Sequence, residues 1–121
     1  MTALAWIGVA VLGGAGALLR FQVDGFVQQR TDVDFPLGTL VVNLLGSFCL
    51  GLLTGLSVTG DALLVWGTGL LGSFTTFSTW MLETERLAEE GETRSAVANV
   101  LVPLAAGFAA AAAGWAIGAA L

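Results

Sequence analysis

The sequence contains few of the side chains on which enzymes and metal centres usually depend. Its 121 residues include no histidine and no lysine, and Cys49 is the single cysteine. A disulfide framework within the chain and a cysteine or histidine metal cluster are therefore excluded, and so is a histidine proton shuttle. The sequence also shows no nucleophile–base pair and no phosphate-binding loop. These absences predict a protein that is not an enzyme.

Charge is also scarce, and apolar residues fill most of the chain. Four basic and nine acidic residues are set against 56% apolar residues, and the mean hydropathy is +0.88. This composition is typical of a membrane protein. With about 20 residues needed per span, the sequence predicts one all-α domain over residues 1–121 with four transmembrane helices. The predicted spans are 3–21, 37–58, 62–82 and 96–121, and we expect the first to be a retained helix.

Positive charge is confined to one side of this topology. In a chain with four spans, the segments 22–36 and 83–95 face the same side of the membrane. The termini and the short connection 59–61 carry no basic residue. The positive-inside rule then places the basic segments in the cytoplasm and predicts that both termini lie outside. The basic residues, all in these segments or at the adjoining end of a span, are Arg20, Arg30, Arg86 and Arg94.

The middle of the third predicted span has an unusual composition for a helix that faces lipid. Residues 72–80, GSFTTFSTW, combine glycine, hydroxyl side chains and aromatic rings. An unsatisfied backbone group is costly in hydrocarbon, so irregular backbone occurs there only where protein or a wet cavity supplies partners. We therefore predict that the third helix is broken near the membrane midplane and that the break is the functional centre.

Polar side chains of the second span lie on one helix face. Thr39, Asn43 and Ser47 follow i, i+4, i+8 spacing, and the third span adds hydroxyls beside Phe77 and Trp80. Hydroxyl and amide donors, together with the positive edges of aromatic rings, suit a small anion when no carboxylate is present. The alternative interpretation is that the polar residues only hydrogen-bond helices together and that the rings only pack.

Three motifs of this sequence together resemble those of one family. GGAGALLRF at 13–21 resembles the signature GGxxGAxxRY/F, and PLGTLVVNLLGSF at 36–48 is similar to P-x-GTLxVNxxGSF. The segment 72–80 looks like the motif GGFTTFSTF. The family is the Fluc, or CrcB, fluoride channels of bacteria. The motifs cover three of the four spans in the family's order, and three at the right separations are far more specific than one.

The resemblance implies an antiparallel dimer in which fluoride crosses a bacterial plasma membrane along pathways at the subunit interface. It implies that Asn43 donates a hydrogen bond to the ion and that Phe77 and Trp80 form the family's aromatic box. Ser78 and Thr79 match hydroxyls of the polar track beside that box. With Thr39 from the polar face of the second span, the candidate pathway residues are Thr39, Asn43, Phe77, Ser78, Thr79 and Trp80.

The resemblance also implies a cofactor. In the family, the broken third helix exposes backbone carbonyls to a structural sodium ion at the dimer centre, and those positions map to Gly72 and Thr75. Unwound backbone carbonyls are ligands for Na⁺ in other membrane proteins. Arg20 matches the arginine of the family's first span, and Glu83 matches a motif position only through its spacing.

Two features favour a heterodimer, in which this chain has one fixed orientation and its partner carries part of the pathway. A sequence that inserts both ways round needs nearly balanced positive charge, whereas the arginines here favour one side. Trp80 also replaces the second Phe of the family motif, which adds bulk and an indole N–H donor. We therefore hypothesise a heterodimer with an oppositely oriented sister chain, and a dual-inserting homodimer remains the alternative.

Two other functions compete with passive fluoride export. A small proton-coupled multidrug exporter also has four short helices, but it needs a carboxylate within the membrane. Spans one, two and four contain no Asp or Glu, and Glu83 lies at the edge of span three. The other alternative is an assembly subunit that conducts no ions and is held together by glycine-rich faces. The expected partners are the fluoride ion, membrane lipid and a second channel subunit.

Overall fold

The computed structural model describes all of residues 1–121, and every regular element is helical. Helix α1 begins after Thr2, whose hydroxyl accepts a hydrogen bond from the Ala5 N–H. Pro36 immediately precedes α2, as its missing N–H favours. The elements are α1 (Ala3–Gln29), α2 (Leu37–Gly55), α3 (Gly60–Leu63), a π-helical segment (Leu64–Leu71), α4 (Gly72–Phe74), α5 (Ser78–Glu89) and α6 (Thr93–Ala120).

Three of these helices, α1, α2 and α6, are long and apolar enough to cross a membrane. The predicted first span ends at residue 21, but α1 continues through the more polar residues that follow and ends at Gln29. The predicted third span at 62–82 is not one helix. It is assembled from α3, the π-helical segment, α4 and the first turn of α5. The chain therefore forms a multi-pass helical membrane protein, and this irregular segment lies where the sequence predicts the third crossing.

Glycines bring α2 and α6 into backbone contact. A Cβ on Gly51 of α2 would lie 2.1 Å from the Ala111 carbonyl oxygen of α6. A Cβ on Gly114 of α6 would likewise lie 2.1 Å from the Phe48 carbonyl oxygen of α2. Small residues allow such close packing, which drives helix association where no hydrophobic effect operates. These glycine faces therefore pack within the subunit, where the sequence alone left internal packing and subunit contact open.

Helix α1 packs on the other side of the bundle, against the third crossing. A Cβ on Gly16 would lie 2.3 Å from the Leu70 carbonyl oxygen, and one on Gly69 would lie 3.1 Å from the Val9 Cα. The Thr2 hydroxyl donates to the Asp61 carboxylate at 3.1 Å, which joins the start of α1 to the start of α3. The irregular crossing is thus held along α1, and its break faces α2 and α6.

The bundle is too thin to bury most of its side chains. Only 16 of 121 residues are buried, and large apolar residues such as Leu4, Phe21, Phe77 and Phe108 are more than two-thirds exposed. Lipid or another protein must cover these side chains in a membrane protein.

The glycine contact predicts the outcome of a single methyl addition. Gly114→Ala should lower the stability of the folded chain by about 1–3 kcal/mol, because the added Cβ overlaps the α2 backbone, which cannot move aside. The measurement is the thermal unfolding midpoint in detergent. Gly107→Ala is the control, because on the same helix its Cβ would have the Ser47 hydroxyl at 3.8 Å as nearest neighbour. Equal midpoints for the two variants would contradict this packing.

Candidate functional site

The helical backbone is interrupted between α4 and α5. Helix α4 ends at Phe74, Thr75 is extended with φ −83° and ψ 163°, and α5 begins at Ser78. The Thr75 hydroxyl donates to the Leu71 carbonyl at 3.0 Å, and the Thr76 hydroxyl accepts from the Thr79 N–H at 3.2 Å. The hydroxyls of this segment therefore satisfy backbone groups on both sides of the interruption.

Asn43 of α2 pairs with the centre of the interruption. Its side-chain Nδ2 donates to the Thr76 carbonyl at 2.9 Å, and its Oδ1 accepts from the Thr76 N–H at 2.9 Å. The side chain of Asn43 thus satisfies both the N–H and the C=O of Thr76, which lies between α4 and α5 and belongs to neither helix. A side-chain amide has two N–H donors, so one donor of Asn43 is left for another partner.

An open cavity of about 450 Å³ lies beside this pair, between α2, the interrupted crossing and α6. None of its lining residues carries a charge, and its polar groups belong to asparagine, serine and threonine. Such a surface offers hydrogen-bond donors without the carboxylate that would attract a cation. Its lining includes Asn43, Ser47, Gly72, Thr75, Thr76, Phe77, Trp80 and Pro103.

The structure brings together five of the residues singled out from the sequence and separates four others. Asn43, Gly72, Thr75, Phe77 and Trp80 all line the cavity. The remaining candidates, which do not line it, are Arg20, Thr39, Ser78 and Thr79.

Each of these four has a different position. Thr39 is buried at 3% exposure near the start of α2, where it lies beside Glu83 of α5. Ser78 is exposed at the start of α5, and Thr79 contributes its backbone N–H to the interruption. Arg20 lies in α1 with its Nε buried. The polar face of α2 therefore serves two places. Asn43 and Ser47 line the cavity, whereas Thr39, one turn nearer the start of α2, lies against Glu83 of α5.

The two aromatic rings meet edge to face. The ring centroids of Phe77 and Trp80 are 5.7 Å apart, and the ring planes are inclined by 88°. This arrangement is the favourable one for aromatic pairs, because the positive edge of one ring meets the negative face of the other. Phe77 is 69% exposed, so its ring forms the open rim of the cavity.

Asn99 of α6 is a polar residue of this region that sequence reasoning missed. It is 1% exposed, and its amide donates to the Thr84 hydroxyl at 2.8 Å and to the Trp80 carbonyl at 3.4 Å. Its backbone carbonyl accepts from the Trp80 indole N–H. The available signal was a lone asparagine in a span otherwise rich in alanine and glycine, because polar residues inside a span are costly.

A second polar group lies where α1, α2 and α5 meet, just beyond the predicted third span. Burial raises the pKa of the Glu83 carboxyl, and the negative charge of Asp24 adds to the rise. The neighbouring Thr39 hydroxyl and the Arg86 charge act in the opposite direction. A Cβ on Gly38 would lie 1.9 Å from the Asp24 carboxylate, so glycine is required for this close approach.

The family model described as "CrcB-like protein, Camphor Resistance (CrcB)" matches residues 7–115. The chain belongs to the CrcB family.

The similar proteins include "Fluoride-specific ion channel FluC 2" of Mycolicibacterium paratuberculosis, at 54% identity over 91% of this chain and 90% of the relative. FluC 2 of Haloarcula marismortui is 48% identical over 97% of both chains. FluC 1 of Rubrobacter xylanophilus is 50% identical over 87% of this chain and 90% of the relative. The family resemblance drawn from the three motifs is confirmed, and a family of ion channels agrees with a protein that is not an enzyme.

The Asn43 pair predicts a large effect of a small side-chain change in this CrcB protein. Asn43→Ala should lower stability by about 1–3 kcal/mol for each backbone group of Thr76 that it leaves unpaired in the bundle. Thermal unfolding in detergent is the measurement. Ser47→Ala, one helical turn away on the same cavity wall, is the control and should change the midpoint far less. Similar midpoints for the two variants would contradict the role of Asn43 in supporting the interruption.

The raised pKa of Glu83 predicts a pH dependence of stability. The folded chain keeps this proton to a higher pH than the unfolded chain, so stability falls as pH rises from the ordinary pKa of 4.5 through the raised one. Glu83→Gln should remove this part of the decrease in the unfolding midpoint. Glu85→Gln, at an exposed position of the same helix, controls for the loss of one negative charge. A Glu83→Gln profile parallel to the unmodified one would contradict the assignment.

Proposed function

We propose that this chain is a subunit of a fluoride channel through which cytoplasmic fluoride leaves the cell passively. The observation that carries the proposal is an uncharged cavity, lined by hydrogen-bond donors, at the interruption of the third crossing. Relatives at about 50% identity over most of the chain carry the name fluoride-specific ion channel. Cavity chemistry and family membership therefore favour the same ion.

The cavity has the groups that a dehydrating small anion needs. The second N–H of Asn43 and the hydroxyl of Ser47 are hydrogen-bond donors, and Phe77 offers the positive edge of an aromatic ring. No carboxylate lines the cavity, which removes the group that a proton-coupled multidrug exporter requires. In this proposal the anion exchanges water for these donors as it passes the interruption.

A second subunit is needed to close the pathway. The cavity is open, and Phe77 at its rim is 69% exposed. A partner in antiparallel orientation covers this face and places a second interruption opposite the first. We propose that the partner is a sister chain, because the arginines of this chain favour one orientation with both termini outside. The numbering of relatives as FluC 1 and FluC 2 is in keeping with paired chains.

The interruption also fits a structural sodium ion. In a continuous helix, the Gly72 and Thr75 carbonyls would accept from the N–H groups of the residues four positions later. The Thr76 N–H instead donates to Asn43, and the Thr79 N–H donates to the Thr76 hydroxyl. Both carbonyls are therefore without these helical donors, and carbonyl oxygens are ligands for Na⁺ where membrane helices unwind. We propose that Gly72 and Thr75 hold sodium at the dimer centre.

Fluoride efflux from liposomes tests the channel and its composition. The purified chain is reconstituted alone and together with an oppositely oriented sister chain of the family, and chloride is the control anion. We expect fluoride-selective efflux only with both chains, because a chain of fixed orientation cannot supply its own antiparallel partner. Selective efflux from this chain alone would establish a homodimer and overturn the fixed-orientation proposal. No efflux in either preparation would overturn the channel.

Two variants separate a conducting subunit from an assembly subunit. Asn43→Asp places a negative charge at the cavity, and Phe77→Ile removes the ring at its rim. In the active preparation, each should abolish fluoride efflux while the dimer persists in size-exclusion chromatography. Efflux that is unchanged by either variant would assign conduction to the partner and leave this chain the role of an assembly subunit.

A further inference from the structure

A proline interrupts the backbone hydrogen bonding of α6 next to the cavity. Pro103 is buried inside α6 (Thr93–Ala120) and lines the cavity wall. Proline has no N–H, so the carbonyl four residues earlier loses its helical donor. That carbonyl belongs to Asn99. In a helix that crosses a membrane, such a carbonyl needs another partner.

Trp80 supplies that partner from the neighbouring helix. Its indole N–H donates to the Asn99 carbonyl, and the Asn99 side-chain amide donates back to the Trp80 carbonyl at 3.4 Å. Thr84 joins the same group, because its hydroxyl donates to the Trp80 carbonyl at 2.9 Å and accepts from the Asn99 amide at 2.8 Å. Trp80 is therefore held at two points. Its ring donates a hydrogen bond to α6, and its backbone carbonyl accepts one from α6.

This arrangement decides how Trp80 acts at the cavity. Its ring lines the wall and meets Phe77 edge to face, while its one N–H is committed to α6. The indole has no other hydrogen-bond donor. Trp80 therefore presents a ring and no donor to an ion in the cavity.

We propose that Pro103 and Asn99 are positioning residues that hold Trp80 as a rigid aromatic wall and that this rigidity contributes to anion selectivity. Pro103 leaves the Asn99 carbonyl without its helical donor, and the indole N–H of Trp80 reaches that carbonyl. A phenylalanine there would keep a ring but lose the attachment to α6. The selectivity part of the inference rests on the proposed channel function, whereas the attachment itself does not.

The attachment is tested on the full chain by NMR of the tryptophan indole N–H groups. The Trp80 signal is identified by its loss in Trp80→Phe. Pro103→Ala restores an N–H that competes for the Asn99 carbonyl, so the Trp80 indole proton should shift upfield and exchange about fivefold faster or more, as expected on weakening one hydrogen bond. Unchanged shift and exchange in Pro103→Ala would overturn the attachment. This readout needs no ion flux, so it is independent of the proposed function.

Selectivity is tested by a double-mutant cycle in the conducting preparation. Trp80→Phe and Pro103→Ala should each lower the fluoride-to-chloride flux ratio by about threefold or more, and the double variant should be no worse than either one, because both break the same contact. Trp115→Phe is the control for the ring exchange, since the Trp115 side chain is exposed and lies outside the cavity lining. Fully additive losses, or a flux ratio unchanged in both single variants, would overturn the selectivity role.

Discussion

Satisfaction of backbone hydrogen bonds in an environment without water is the constraint on which this structure depends. An interrupted helix exposes N–H and C=O groups, and the bilayer offers them no partners. The chain resolves this with side chains placed at the interruption. Asn43 pairs with both backbone groups of Thr76, and the hydroxyls of Thr75 and Thr76 bond to backbone on either side. The irregular crossing is therefore a built feature of the fold, and the cavity exists because of it.

The same constraint operates in α6 with a different solution. Pro103 frees a carbonyl that the Trp80 indole takes up. Asn99 is buried, and its side-chain amide donates to Trp80 and Thr84 of α5. In both places a break in helical bonding is compensated by a side chain from a neighbouring helix. Each compensation also positions a group on the cavity wall. Asn43 and Trp80 thus make hydrogen bonds between helices and also line the cavity.

Glycine makes these compensations possible by allowing the helices close enough together. The backbones of α2 and α6 meet at Gly51 and Gly114, and α1 meets the third crossing at Gly16. Such contacts determine the register between helices, and register determines which side chain reaches which backbone group. The surface left outside this packing is apolar and includes the rim of the cavity. The cavity is uncharged and open on one side, and this open side is the one that the proposed second subunit closes.

The sequence by itself determined the membrane class and the location of the apolar segments, because apolar length and local composition depend on residues near each other in the chain. Its motifs also identified the family and five of the residues that line the cavity. It did not determine that Thr39 lies beside Glu83, or that Asn99 receives the Trp80 indole. Those facts were decided by the tertiary structure, because the two residues of each pair are 44 and 19 positions apart and meet only through the register of packed helices.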